Sequence, residues 1–265
     1  MLLRLSLYSM IGLVMMTALM FFGVQSADAT AYVWVGNDAA WGTATNWNSI
    51  GASCGTVGDG AVPGVGDQAF FDSNCTDNVT IPAATSVIDI ITQAGYTGTL
   101  TQAGTISVSD KITIVSGATL DSAGWTIDIA GDWTNGGIYT PGGGVVNFNG
   151  TVEQTVITGG MTGNFDFFDV KVSNSSDTVA LSTNGMMVNN DLTIEYDAGL
   201  VIIGNDLTVS GTYANNDGQL LLLGTETVIL TGGMDTNDGT TIFAAVDTGS
   251  GPYAMAGLST LENTP

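Results

Sequence analysis

A short motif that keeps returning limits what this chain can fold into more than any other feature. A Leu, Ile or Trp is followed by Thr, with an Asp or Asn one or two residues ahead, at Thr113, Thr134, Thr193 and Thr208. Thr113 and Thr134 are 21 residues apart (134 − 113). That spacing suits one coil of a β-solenoid, in which each coil buries its inward face only against its neighbours. Thr193 and Thr208 are 15 apart (208 − 193), so coil length is expected to vary. Longer stretches repeat as well. Asp110 to Leu120 aligns with Asn190 to Leu200 at an offset of 80 (190 − 110), and Gly131 to Gly160 with Asn205 to Gly233 at 74 (205 − 131). An internal repeat is therefore expected over about 106–160 and 186–233.

Between these motifs lie short β-branched runs, such as Ser86-Val-Ile-Asp-Ile-Ile, Val145-Val-Asn-Phe, Asp169-Val-Lys-Val and Thr227-Val-Ile-Leu, separated by Gly, Asn and Asp. They read as strand, turn, strand. From Tyr32 to Pro265 there is no convincing helical apolar stripe of ten or more residues. The 37 Gly, 36 Thr and 18 Asn point the same way, because these residues favour strands and turns over helices. Strong acidity can mean disorder, but disorder also needs low hydrophobicity. Here the mean hydropathy is +0.31, so the expectation is a folded, all-β protein.

The charge balance removes whole classes of function. Against 25 Asp and Glu there are 3 Lys and Arg and no His, a formal net charge of −22. Arg4, Lys111 and Lys171 cannot make the basic patch that displaces phosphate counterions, so nucleic acid is excluded as a partner. Histidine-based nucleophilic catalysis and histidine-ligated zinc are excluded because the residue is absent. Chemistry here must run on carboxylates, hydroxyls, amides and aromatics.

The chain opens with one cation at Arg4, an apolar run from Met10 to Val24, and small residues at Ala27, Ala29 and Ala31. That order is a signal-peptide pattern over 1–31, with cleavage after Ala29 or Ala31; an uncleaved anchor is the alternative. Once cleaved, the chain is expected to be secreted, extracellular or at the cell surface, with no membrane insertion. The two cysteines, Cys54 and Cys75, would then enter an oxidising compartment and pair, closing a loop of about 20 residues for roughly 3 kcal/mol. Residues 32–82 form the expected N-terminal cap. They carry both cysteines and Trp34, Trp41 and Trp47, whose rings either plug one end of the β-structure or form a sugar-stacking platform. The solenoid is expected over 83–250, with 251–265 as a tail or truncated end.

With Trp34-Val-Gly, Trp41 and Asn46-Trp47 at the start, Gly131-Asp-Trp-Thr-Asn-Gly-Gly-Ile-Tyr in the middle, and Thr-Gly-Gly endings at Gly159-Gly160 and Gly232-Gly233, the chain resembles the parallel β-helix surface proteins of bacteria. That group includes autotransporter passenger domains and filamentous adhesins. The resemblance covers most of Tyr32 to Gly233 and implies a right-handed parallel β-helix with a Trp/Cys-rich cap. It departs from the autotransporter pattern in lacking a recognisable C-terminal translocator barrel.

The function expected from this is a secreted, non-enzymatic structural or adhesive surface protein, its partner being itself, as an extracellular filament, or a surface glycan or protein. One alternative is a carbohydrate-active β-helix using Asp and Glu alone. Its candidates, Asp128, Asp132, Asp166, Asp169, Asp191 and Asp206, stand singly at strand ends and read mainly as turn formers. Another is a calcium-dependent surface lattice, with Ca2+ at Asp235, Asn237 and Asp238, a sequence that is equally good as a turn. The run Thr240 to Val246, with Thr241, Ile242, Phe243 and Val246, is either the last coil or a strand offered to a neighbouring subunit.

Overall fold

The computed structural model describes residues 29–36, 38–49, 53–223, 226–237 and 240–243. Its strands stack as a parallel β-solenoid of about 8 turns. The chain winds repeatedly past an 11-stranded sheet and an 8-stranded one. Between those two it passes a third face, which is a four-stranded sheet in the N-terminal half and a three-stranded sheet in the C-terminal half. Every described strand pair is parallel except Thr30–Trp34 with Trp47–Asn48. The only described helical element is the 3-10 turn Ala44–Asn46.

Alternation within each strand explains the architecture. In Ile112–Ile114, Leu192–Ile194 and Leu207–Val209 the outer two side chains are buried and the central Thr points out. Strand residues alternate faces, so each three-residue strand of this pattern buries two side chains. The inward positions stack on their like. Ile112 pairs with Trp133, Trp133 with Val156, Val156 with Leu181, Leu181 with Ile202 and Ile202 with Leu222. Each such buried aliphatic contributes about 1.5–3 kcal/mol, although no coil could bury it alone.

The expected coil length is met where it was read: Thr113 and Thr134 are register partners. Successive pairings in the 11-stranded sheet span 21 residues (Gln68 to Asp89), 22 (Ile90 to Ile112), 21 (Ile112 to Trp133), 23 (Trp133 to Val156) and 25 (Gln154 to Val179). Thr193 and Thr208 do not stack, because Thr193 lies in the 8-stranded sheet and Thr208 in the three-stranded one.

The long internal repeat has a different meaning from a repeated set of coils. Asp110 to Leu120 turns the chain from the 11-stranded sheet into the four-stranded one, whereas Asn190 to Leu200 turns it from the 8-stranded sheet into the 11-stranded one. What repeats is the corner itself. Ala118 N–H donates to Val115 O at 3.0 Å, and Ala198 N–H to Glu195 O at 3.0 Å. Gly117 and the aligned Asp197 both have positive φ, +96° and +57°. An offset of 80 is not a whole number of such coils, so the motif reappears one face out of phase.

The boundary expected at residue 82 also moves. Asp67–Phe71 and Val79–Ile81 already stack on Asp89–Thr92 and Thr99–Gln102, so coil strands begin within the segment expected to be cap. Thr30 and Ala31 pair with Asp67 and Gln68. Of the two expected cleavage points, the one after Ala29 leaves this first strand whole. Residues 1–28 and 251–265 lie outside the described residues.

Candidate functional site

The N-terminal aromatics are inside the molecule. Trp34, Trp41 and Trp47 are 0 %, 2 % and 0 % exposed, which corrects the sugar-platform expectation, since stacking on a sugar needs a free ring face. Their rings pack on one another and on Phe71, with Trp41 and Trp47 edge-to-face at 4.7 Å. Trp47 Nε1 donates to Trp41 O at 2.7 Å, which locks the plug. Cys54 and Cys75 form a disulfide beside it, with Cα atoms 4.5 Å apart. Asp77 Oδ2 lies 3.4 Å from Cys54 Sγ, so these three residues make the only close grouping of three potential metal ligands among the described residues. Joined sulfurs offer no thiolate to a metal.

The corner carboxylates have a role that their placement at strand ends did not reveal. Asp89 Oδ1 accepts the backbone N–H of Lys111, Asp132 that of Thr155, Asp169 that of Asp191, Asp191 that of Thr212 and Asp206 that of Thr227, at 2.7–3.0 Å. Donor and acceptor are 21 to 23 residues apart each time. Each Asp thus receives an amide from the following coil that no ladder would satisfy. The usable signal was an Asp recurring at coil spacing rather than its mere presence in a turn.

Interior amides tie the coils in the same way. Buried Gln154 donates to Ile129 O and Gly131 O and accepts from Gly150 N–H, while Asn174 donates to Val152 O. On the outer face of the 8-stranded sheet, Asn147 donates to Asp128 at 2.8 Å and Ser173 to Asn147 at 2.7 Å. Lys171 pairs with Glu195 at 2.7 Å there, and its ammonium holds the Glu195 carboxyl below the usual carboxylate range.

Asp89 behaves in the opposite way. Burial raises its carboxyl above the ordinary value, against the opposing pull of hydrogen bonds from Gln68 and the Lys111 amide. The Asp89 carboxylate in turn raises the Lys111 ammonium. A raised carboxyl is what a general acid needs, but Asp89 is 0 % exposed and meets only protein.

At the C-terminal end, Asp235 is exposed on Met234–Asn237, in register with Ala214, and Asn237 is in register with Asn216. Asp238 lies outside the described residues. The similar sequence Asn215-Asn216-Asp217-Gly218, whose first two residues are in register with Thr236 and Asn237, leaves its strand in a turn in which buried Asn215 accepts the Gly218 N–H and Asp217 has φ +62°. Thr241, Ile242 and Phe243 stand in Thr240–Phe243, in register with Leu220, Leu221 and Leu222. That strand ends the 11-stranded sheet among the described residues, and Val246 lies beyond them. No helix among the described residues is long and apolar enough to cross a membrane.

No family model, curated protein or solved structure matches the chain significantly. The likeness to bacterial β-helix surface proteins therefore extends as far as the solenoid.

Proposed function

We propose that this chain is a secreted, non-enzymatic structural or adhesive rod of the cell surface, assembling end to end through its terminal coils. One observation carries this reading: the Asp side chains that recur at coil spacing are each spent on an amide of the next coil. Among the described residues the Oδ1 atom of each of these carboxylates is engaged in holding one coil to the next. Thr240–Phe243, the last strand of its sheet among the described residues, supplies the strand through which a second copy would add.

Electron microscopy of the purified protein at neutral pH, with calcium and with chelator, tests this. Ordered filaments are expected. Filaments that dissolve in chelator would show that assembly needs a divalent cation, for which the Asp235, Asn237 and Asp238 segment is the candidate. Isolated rods that degrade a polysaccharide, with turnover lost on one Asp→Asn change, would overturn the proposal in favour of a carbohydrate-active solenoid.

A further inference from the structure

The disulfide beside the Trp plug sits among more ligand atoms than a cross-link uses. Asp77 Oδ2 lies 3.4 Å from Cys54 Sγ and 3.8 Å from Cys75 Sγ. The Tyr96 hydroxyl donates to Asp77 O at 2.9 Å and holds that stretch of backbone in place. Cys54 N–H donates to Asn74 O at 3.3 Å, so a main-chain bond also keeps the two cysteines side by side. Space for a further group comes from Gly36. A Cβ there would stand 2.9 Å from Cys75 Sγ, 2.9 Å from Trp34 Nε1 and 3.1 Å from Asp77 Oδ2, so the missing side chain leaves a small hollow on which these atoms converge. Trp34 is 0 % exposed, yet its indole N–H has no hydrogen-bond partner among the described residues. A buried donor left unpaired is costly, and this one faces a hollow between sulfur and carboxylate.

We infer that the reduced cysteine pair is a zinc site, with Cys54, Cys75 and Asp77 as ligands and a water over Gly36 as the fourth, its oxygen accepting the Trp34 N–H. The spacing fits. With Zn–S at about 2.3 Å and Zn–O at about 2.0–2.2 Å, tetrahedral angles set a ligand sulfur and a ligand oxygen about 3.5–3.7 Å apart, and Asp77 Oδ2 already stands at nearly that distance from both sulfurs. Opening of the bond starts at Cys54, which is exposed, whereas Cys75 is buried. A thiolate of an external dithiol attacks Cys54 Sγ and expels Cys75 as a thiolate; the second thiol of the reagent then attacks the mixed disulfide and expels Cys54. The reagent leaves as its own disulfide, having given up two electrons and two protons. Zinc binds both cysteines as thiolates, so those protons pass to solvent. The ion offsets the charge that two thiolates and a carboxylate would bring together, and it replaces the S–S bond as the tie between cap and first coils. The site does not depend on end-to-end assembly, so a failure to form filaments leaves it standing.

Cobalt(II) titration of the full chain tests this, after reduction with dithiothreitol and its removal by anaerobic gel filtration. Cobalt in a tetrahedral thiolate site gives a near-ultraviolet thiolate-to-metal band and strong visible bands. One equivalent should produce both, and zinc should then bleach them. The oxidised protein and the Cys54→Ser, Cys75→Ser double variant should give neither. Asp77→Asn should weaken cobalt binding by on the order of tenfold or more, while Asp110→Asn, the same loss of charge on another corner, should leave it unchanged. Zinc should also raise the melting temperature of the reduced protein and not that of the oxidised one. A reduced protein that keeps the circular dichroism of the oxidised form and develops no thiolate-to-cobalt band overturns the inference. So does a reduced protein whose cap loosens, seen in tryptophan fluorescence, and is not restored by zinc. Bands that persist in the double cysteine variant, or an Asp77→Asn protein that binds cobalt as tightly as the native one, overturn the ligand assignment.

Discussion

Asp89 shows how a single residue can serve the fold at an electrostatic cost. Its side chain is enclosed, accepting from Gln68 and from the Lys111 N–H, and burial raises its carboxyl above the ordinary 3.8. A raised folded-state pKa means that the native protein holds the proton more tightly. The associated stability is therefore present at low pH and is lost as pH rises through the folded value. Asp89→Asn keeps an oxygen for the Lys111 amide and cannot ionise, so it should match or exceed the native melting temperature at pH 7. The gap should close towards about pH 4 in melts at stepped pH, and a gap that widens towards acid would contradict the assignment. Asp89→Ala, which strands the amide, should lose about 1–3 kcal/mol. Glu195 runs the other way: its lowered value gives stability that is present above its ordinary 4.5 and lost on acidification, an exposed and therefore small effect.

At the scale of elements, the corners rather than the strands carry the specificity. A Cβ on Gly131 would run into the carbonyl of Asp110 on the preceding coil, and one on Gly211 would meet the Asn190 carbonyl at 2.6 Å. Gly131→Ala should therefore destabilise by on the order of 1–3 kcal/mol, as overpacking does, whereas Thr134→Ala on the adjacent outer surface should stay within about 0.5 kcal/mol. Urea unfolding of the pair would show this, and equal effects would refute the close approach. The Cys54–Cys75 bridge, with a sequence separation of 21, cross-links the cap to the first coils. Removing it by Cys54→Ser and Cys75→Ser together should cost about 3 kcal/mol, seen as a lower melting temperature that no longer responds to reductant.

For the whole molecule, charge is the dominant variable. Among the described residues the cations are Lys111 and Lys171, each paired with a carboxylate, Asp110 and Glu195, so the remaining acids repel one another along the rod. Added monovalent salt should raise the melting temperature, because screening relieves self-repulsion that the compact state feels more than the unfolded chain. A melting temperature that falls with sodium chloride would mean that specific ion pairs outweigh that repulsion.

The sequence by itself determined the class, the coil and the staple. Alternating three-residue strands, the 21-residue return of Thr113 at Thr134 and the Cys54–Cys75 pair are local or periodic features, and a stack of coils of similar length turns local periodicity directly into tertiary register. Only the tertiary structure decided that the 80-residue repeat is one corner used at two places in the coil, because a corner motif encodes a bend and not which face follows it. It also decided that Trp34, Trp41 and Trp47 face inward, and that the Asp of each corner answers an amide about 21 residues away. Those facts rest on which coil lies against which, a relation that no segment carries within itself.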